Sequence, residues 1–262
     1  MDDVEGLLFD VREGVATVTL NRPEKLNAIT WEMVNGLTRF VEECGFDDNV
    51  RVIVITGNGR AFSSGDDIVG GMGDRPRRID LSNDRGPHYE MVKAILATPK
   101  PVIAALNGRT HGAGWVIALS CDFRVARSDI LIGDIRSGKA IFANQGVGLL
   151  LPHLIGKSRA MDLLMTGRVI NAAEAERYGI LNRVWAPEEY DTELAALVQE
   201  LATGPTRTYA AWKMSVNRPV LLELDSYTDH ERWLNLMLRD SEDTKEGVTS
   251  FREKRSPNFT GR

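Results

Sequence analysis

Small residues at the predicted start of a helix are the first candidates for chemistry in this chain. Gly112-Ala113-Gly114 follows a buried apolar run at 102–106 and opens a second apolar run at 115–119. Small side chains let another molecule approach the backbone, and the first N–H groups of a helix lack intrahelical acceptors. These groups and the positive end of the helix dipole favour negative charge. We therefore predict that this segment holds an oxygen that becomes negative during a reaction.

A second small and polar segment, residues 61–68, also follows a buried strand. The near-continuous apolar run at 51–56 has the pattern of a strand covered on both faces, and Gly57-Asn58-Gly59 ends it in a turn. Residues 70–86 are rich in Gly, Arg and Asp and show no periodicity, which predicts a long loop. The two candidate segments are thus separated in the chain by this loop and by a predicted helix.

The elements that must position these segments alternate between strand and helix. Strands are predicted at 15–20, 51–56, 102–106 and 122–126. Helices are predicted after Thr30, from near His88 to Pro99, and after Gly112. This alternation predicts βαβ units and at least one mostly parallel sheet.

Past Gly156 the pattern is mostly helical. A single short strand is predicted near 182–185. The predicted helices are 157–166, 172–178, 188–201, 205–216, 221–238 and 241–254.

Composition narrows the class of protein. The net charge of −5, without a dominant basic stripe, argues against nucleic-acid binding. Cys44 and Cys121 are too few and too far apart for a disulfide framework or a zinc site. The acidic N-terminus does not resemble a targeting peptide, and no apolar run approaches the ~18 residues that span a bilayer. We expect a cytoplasmic protein that binds no metal and no membrane.

Several segments together resemble the crotonase (enoyl-CoA hydratase/isomerase) superfamily. They are 61–68 (AFSSGDDI), 100–108 (KPVIAALNG), 111–114 (HGAG), 242–247 and 251–255, so the resemblance covers nearly the whole chain. It implies an α/β fold of repeated ββα units that form two nearly perpendicular sheets. We expect a core at 1–187 and a C-terminal helical trimerisation region at 188–262.

The resemblance implies two oxyanion-hole donors, the backbone N–H groups of Asp66 and Ala113. They would polarise the thioester carbonyl of an acyl-CoA and hold its enolate. Losing one such donor typically costs ~10²–10³ in rate. The position of Ala113 at a predicted helix start indicates this role independently, whereas Asp66 is implied by the resemblance alone.

The resemblance also implies a bent CoA moiety and an assembly of trimers or of hexamers built from two trimers. No cofactor is implied beyond the CoA of the substrate. Two main-chain segments would bind CoA, and a neighbouring subunit would contribute from its C-terminal helices. The matching positions are Lys25, Ala28, Phe62 and Ser64 for the main-chain segments, and Phe251 and Lys254 for the neighbouring subunit.

The sequence departs from the hydratases of this superfamily at two glutamates. Hydratases use these glutamates to activate water and to deliver a proton, and by position they fall on Val116 and Arg136. Valine cannot titrate, and arginine stays protonated near neutral pH. Because each acid–base group is worth ~10²–10⁴ in rate, we predict a reaction other than hydration.

Three other residues could supply the missing acid–base chemistry. Asp134 lies two positions before Arg136, which would keep it ionised, although the two could instead form a surface ion pair. Asp66 could aim its carboxylate into the pocket or could cap a helix. His111 could shuttle protons at neutral pH or could be a hydrogen-bonded structural residue.

The leading hypothesis is an enzyme that acts on an acyl-CoA thioester through an enolate held in an oxyanion hole. The candidate reactions are β-keto thioester hydrolysis or retro-Claisen cleavage, isomerisation, and decarboxylation. The alternative is a non-catalytic acyl-CoA-binding or assembly subunit that keeps the fold. The preserved oxyanion segments and the nearby titratable groups favour an enzyme.

Overall fold

A computed structural model describes residues 3–67, 85–143 and 145–262 of the chain. Residues 70–84 of the predicted loop lie outside the described residues. Two sheets and the helices that pack on them form the described chain, which confirms the predicted α/β class. None of the helices in the described ranges combines the length and apolar character needed to cross a bilayer.

The chain up to residue 155 is built from ββα units, as the resemblance implied. The bounds in the first two units are β1 Leu7–Arg12, β2 Val15–Leu20, α1 Trp31–Phe46, β3 Val52–Gly57, β4 Ala61–Ser63 and α2 Pro87–Ala97. Those in the next two units are β5 Val102–Leu106, β6 Arg109–His111, α3 Ala113–Ser120, β7 Phe123–Arg127, β8 Leu131–Gly133 and α4 Val147–Ile155. In the last three units the first strand joins the larger sheet and the second joins the smaller one.

The larger sheet has the order β1-β2-β3-β5-β7-β10, and the smaller sheet has the order β4-β6-β8-β9. In the larger sheet only the β1–β2 pair is antiparallel. In the smaller sheet β4, β6 and β8 run parallel, and β9 pairs antiparallel with β8. The predicted parallel sheet is therefore present, and a second sheet of short strands lies beside it.

Two glycines mark the points where the chain passes from the larger sheet to the smaller one. A Cβ atom at Gly57, the last residue of β3, would lie 2.6 Å from the Phe62 carbonyl oxygen. A Cβ atom at Gly108, between β5 and β6, would lie 2.8 Å from the Ala61 Cα atom. Side chains at these positions would collide with the neighbouring backbone, so glycine lets the two crossing segments pack closely.

The C-terminal part is helical, with two short strands. The elements are α5 Lys157–Thr166, β9 Ile170–Asn171, α6 Ala172–Tyr178, β10 Arg183–Trp185, α7 Tyr190–Thr203, α8 Thr206–Arg239 and α9 Glu242–Arg252. The prediction of separate helices at 205–216 and 221–238 was wrong, because α8 is continuous through Pro219. Proline removes one backbone hydrogen bond, and a helix of 34 residues has enough turns on both sides to continue.

The core explains why α3 lies at the centre of the molecule. Every residue of α3 is buried, whereas α1 buries one face that includes Met33, Leu37 and Phe40. Thr30 caps α1, since its hydroxyl oxygen accepts a hydrogen bond from Met33 N at 3.3 Å. A helix that is apolar on all sides needs protein around it, so the start of α3 is fixed from every direction.

Candidate active site

The two predicted oxyanion segments lie side by side. Strands β4 and β6 are parallel neighbours in the smaller sheet, with Ala61 opposite Arg109 and Ser63 opposite Thr110. Because parallel strands end at the same edge, Asp66 after β4 and Ala113 after β6 are brought together. The sheet topology thus explains why residues 47 positions apart in the chain can share one site.

Two glycines allow the segments to approach at backbone distance. Gly65 has φ +99° and Gly112 has φ +54°, values that side-chain-bearing residues rarely adopt. A Cβ atom at Gly65 would lie 3.2 Å from the Gly112 Cα atom and 3.3 Å from the Ala113 nitrogen. The backbone at Gly65 is therefore packed against the start of α3.

The N–H groups of Asp66 and Ala113 are available to a ligand. Ala113 is the first residue of α3, where the N–H group has no acceptor within the helix. Asp66 pairs with Ile29 in a parallel β-bridge. The two hydrogen bonds of this bridge run from Ile29 N to Gly65 O and from Asp67 N to Ile29 O, so neither uses Asp66 N. Among the described residues, nothing accepts a hydrogen bond from either N–H group.

The Asp66 side chain is held from two directions. Its Oδ1 atom lies 2.9 Å from Nε2 of His88 on α2, and its Oδ2 atom accepts a hydrogen bond from Gln145 Nε2 at 3.2 Å. The side chain is 23% exposed, so it is fixed but not sealed from a ligand. Asp66 therefore presents a backbone donor and an accessible carboxylate from one residue.

The charge state of Asp66 follows from these neighbours. Burial raises the pKa of its carboxyl, but the charge and hydrogen bond of His88, the charge of Arg136 and the Gln145 hydrogen bond outweigh that effect. The net pKa lies below the ordinary value of 3.8. Asp66 is therefore ionised at neutral pH and can accept a proton.

Asp134 and Arg136 form a buried ion pair and not the surface pair that was the alternative. Arg136 Nε donates to Asp134 Oδ1 at 2.8 Å, and Arg136 Nη2 donates to Asp134 Oδ2 at 2.6 Å. Only 3% of Asp134 and 9% of Arg136 are exposed. Both carboxylate oxygens are thus occupied by the guanidinium.

The two positions where hydratases carry glutamate differ in their surroundings. Val116 is fully buried on α3. Arg136 contacts Asp134 and also donates from Nη1 to Gln145 Oε1 at 2.7 Å. The structure thus places Arg136, unlike Val116, in a polar network that reaches Asp66 through Gln145.

His111 is tied to the smaller sheet. Its Nδ1 atom lies 3.2 Å from the Gly133 carbonyl oxygen, which can only accept, so Nδ1 carries the hydrogen. Burial is the main cause that lowers the pKa of the His111 imidazole, and Arg109 and Lys139 add to it. His111 is therefore neutral at neutral pH, with one ring nitrogen committed to the backbone.

A carboxyl from α8 supports the turn that carries Gln145. Glu231 is 1% exposed, and its Oε2 atom accepts a hydrogen bond from Gly146 N at 2.8 Å. Burial raises the pKa of Glu231 to about 7. Glu231 thus takes the role of an N-cap for α4, since Gly146 has no side chain to do so.

The predicted CoA-binding main-chain segments are brought together. Ser64 N donates to Leu26 O at 2.9 Å, and Ser64 Oγ lies 3.4 Å from Lys25 O. The carbonyl of Ala28 is held by Arg22, while Phe62 is buried completely. The Lys25 side chain is half exposed beside this junction.

Phe251 and Lys254 lie at the end of α9. This helix packs against residues 137–139 of the same chain. The Phe251 ring covers Lys139 Nζ at 3.8 Å from its centroid and remains 44% exposed. Lys254 has φ +55° just beyond the helix. Within one chain, Phe251 thus contacts the 137–139 segment through Lys139.

Three residues that shape this site are not among the candidates predicted from the sequence: His88, Gln145 and Glu231. Each lies on a different element from Asp66, and the contacts span 22, 79 and, for Glu231 with Gly146, 85 positions. No short spacing in the sequence signals contacts of this range.

The chain belongs to the enoyl-CoA hydratase/isomerase family, whose profile matches residues 10–262. This confirms the predicted crotonase superfamily. A 1,2-epoxyphenylacetyl-CoA isomerase of Escherichia coli K12 is 35% identical over 99% of this chain and 100% of its own length. A trans-2-decenoyl-[acyl-carrier-protein] isomerase of Streptococcus mutans is 32% identical over 99% of this chain and 100% of its own length.

Solved structures show the same fold. An enoyl-CoA hydratase from Mycobacterium avium subsp. paratuberculosis superposes with a TM-score of 0.89 at 31% identity, covering 98% of this chain and 100% of that chain. An enoyl-CoA hydratase/isomerase from Pseudoalteromonas atlantica gives 0.88 at 26% identity, with the same coverage. The predicted crotonase-like fold is therefore confirmed.

Proposed function

We propose that this chain is an acyl-CoA isomerase that moves a carbon–carbon double bond by transferring a proton. The observation that carries the proposal is the dual character of Asp66. Its backbone N–H has no acceptor among the described residues and follows Gly65, which packs against the start of α3 at Ala113. Its side chain is ionised and 23% exposed. One residue can thus help to hold an enolate and can receive the proton that forms it.

Isomerisation requires fewer catalytic groups than hydration. Asp66 would take a proton from the α-carbon of a 3-enoyl thioester, and the two N–H groups would hold the dienolate oxygen. Returning the proton to the γ-carbon yields the 2-enoyl thioester, with no atom gained or lost. Hydration also requires an activated water, for which Val116 and Arg136 supply no base.

The other predicted acid–base residues fit this role less well. Both oxygens of Asp134 are occupied by Arg136, and releasing them would leave a buried, unpaired guanidinium. His111 has one ring nitrogen committed to Gly133. The Asp66 side chain is 23% exposed, and its contacts with His88 and Gln145 leave it without the two-point guanidinium contact that occupies Asp134. Two of the relatives described above are named as isomerases, which also supports this choice.

We propose further that the thioester is bound in its CoA form by the Lys25–Ala28 and Phe62–Ser64 main chain, with no additional cofactor. The contact between Ser64 and Leu26 supports this proposal, because it joins the two segments. Phe251 and Lys254 would act in the site of a neighbouring subunit.

Self-association into a trimer or hexamer would use the helical region 188–262. Large apolar side chains remain exposed along α8 in the single chain, and burying them against another subunit would stabilise an assembly. They are Trp212, Met214, Val216, Leu222, Trp233 and Met237.

The test offers 3-enoyl-CoA and 2-enoyl-CoA to the purified protein. Absorbance of the conjugated thioester reports isomerisation, and mass spectrometry in D₂O reports deuterium at the α- and γ-carbons. Asp66→Asn keeps the backbone N–H and should lower kcat/KM by ~10²–10⁴. Crotonyl-CoA serves as the hydratase control.

Each competing function gives a different result. Faster hydration of crotonyl-CoA than isomerisation would contradict the proposal. Release of free CoA from β-keto thioesters would indicate hydrolysis or retro-Claisen cleavage, and loss of CO₂ would indicate decarboxylation. Tight CoA binding without turnover of any substrate would identify a non-catalytic subunit.

A further inference from the structure

Gln145 connects Arg136 to Asp66 in one fixed orientation. A guanidinium has only donors, so the Gln145 oxygen must face Arg136, at 2.7 Å. The amide nitrogen is then committed to donate to Asp66 Oδ2, at 3.2 Å. The usual ambiguity between amide oxygen and nitrogen is thus removed by chemistry.

The network behind Gln145 is rigid and buried. Asp134 holds Arg136 through two side-chain hydrogen bonds, and it also accepts one from Arg136 N at 3.1 Å. Gln145 is 7% exposed. Buried polar groups that are all satisfied fix one geometry, because breaking any one contact leaves a desolvated group.

The charged groups around Asp66 come from three sides. His88 approaches from α2, and the Arg136–Asp134 pair lies behind Gln145 on the other side. Glu231 approaches from α8, where it binds Gly146 N next to Gln145. The arginine is the only one of these groups that is both permanently positive and linked to Asp66 by an oriented donor.

We infer that Arg136 and Gln145 are positioning residues for Asp66, acting as a unit that aims its carboxylate and keeps it ionised. Arg136, at the second hydratase glutamate position, would then support a base at a different position, namely Asp66. Asp134 would serve to hold Arg136 and would take no proton from the substrate. This inference rests on the proposed function only where activity is the readout.

The first readout is the pH profile of kcat/KM. Activity requires ionised Asp66, so it is lost on the acid side as the pH falls through the pKa of that group. Gln145→Met removes the donor, and the acid limb should move to higher pH by about one unit. Gln145→Glu keeps an acceptor for Arg136 but places a like charge beside Asp66. The acid limb of its kcat/KM profile should therefore move to still higher pH than that of Gln145→Met. Gln199→Glu on the exposed face of α7 is the matched control and should leave the limb in place.

The second readout does not depend on activity. The Asp66 carboxyl carbon is followed by ¹³C NMR over the same pH range and assigned by its loss in Asp66→Asn. A signal that titrates at higher pH in both Gln145 variants supports the inference, even if Asp66→Asn proves fully active and the proposed function fails. An unchanged titration in both variants, or an acid limb that does not move while KM rises, would overturn the positioning role. Circular dichroism selects the folded variants, and where only one Gln145 variant folds, its titration alone decides the outcome.

Discussion

The buried carboxyl of Glu231 should make the stability of this protein depend on pH near neutrality. Burial raises its pKa in the folded chain from the ordinary value of 4.5 to about 7. The folded state therefore holds this proton more tightly than the unfolded state does. The associated stability is fully present below pH 4.5 and is lost as the pH rises through about 7.

The size of the effect follows from the two pKa values. A difference of about 2.5 pH units, at ~1.4 kcal/mol each, gives about 3 kcal/mol in total. Most of this free energy, roughly 2–3 kcal/mol, is lost between pH 5 and pH 8. Glu231→Gln mimics the protonated carboxyl, since its amide oxygen can still accept from Gly146 N. Between pH 5 and pH 8, the free energy of unfolding of Glu231→Gln should therefore rise by this amount relative to that of the native chain.

The assay is thermal unfolding of both proteins at equal concentration from pH 5 to pH 8. For a chain of this size the melting temperature of Glu231→Gln should rise by roughly 5–10 °C relative to the native protein across the interval. Glu223→Gln, at an exposed position on the same helix, should follow the native curve. Parallel curves for Glu231→Gln and the native protein would refute the argument that burial holds this proton.

Three further predictions concern the oxyanion segments and the assembly. Ala113→Pro removes one donor at the first helical position, where proline is tolerated, and should lower kcat by ~10²–10³ while the circular dichroism spectrum stays native. Gly65→Ala forces a side chain to φ +99°, 3.2 Å from the Gly112 Cα atom, and should cost ~10² in kcat at unchanged CoA affinity by calorimetry. Trp212→Ser and Trp233→Ser, at two positions that are each 68% exposed, should each weaken self-association by at least ~2 kcal/mol in analytical ultracentrifugation, whereas a monomeric native chain would contradict this prediction.

Local pattern was enough to predict the strands of the larger sheet from β2 onward, whereas β1 at Leu7–Arg12 was missed. The bounds of the predicted strands 15–20 and 51–56 lie within one residue of those of β2 and β3. Such strands are recognisable because burial requires a continuous or alternating pattern of apolar residues. The strands β4, β6, β8 and β9 have only two or three residues each, too few for any period. The crossing of the two sheets was therefore expected from the resemblance and not from periodicity.

The site was predictable where it depends on one helix start and not where it depends on contacts across elements. Ala113 follows from the local argument, since small residues and an unpaired N–H group are properties of the segment itself. The contacts of Asp66 with His88 and Gln145 depend on how α2 packs within the second ββα unit and on how the fourth unit packs against it, which no spacing encodes. The relation of Asp134 to Arg136 was found in sequence because the two residues lie two positions apart, but the burial of this pair was not.

The Glu231 contact with Gly146 also bears on when the site is completed during synthesis. During translation, Asp66, Ala113 and Gln145 emerge from the ribosome well before Glu231. Glu231 lies 85 positions after Gly146, whose backbone N–H it binds. Chains begin to fold from the N-terminus as they emerge, so both sheets can form while the start of α4 still lacks its cap. We expect a nascent chain that ends before residue 231 to contain every group of the proposed chemistry but to lack the contact that fixes the start of α4 next to Gln145.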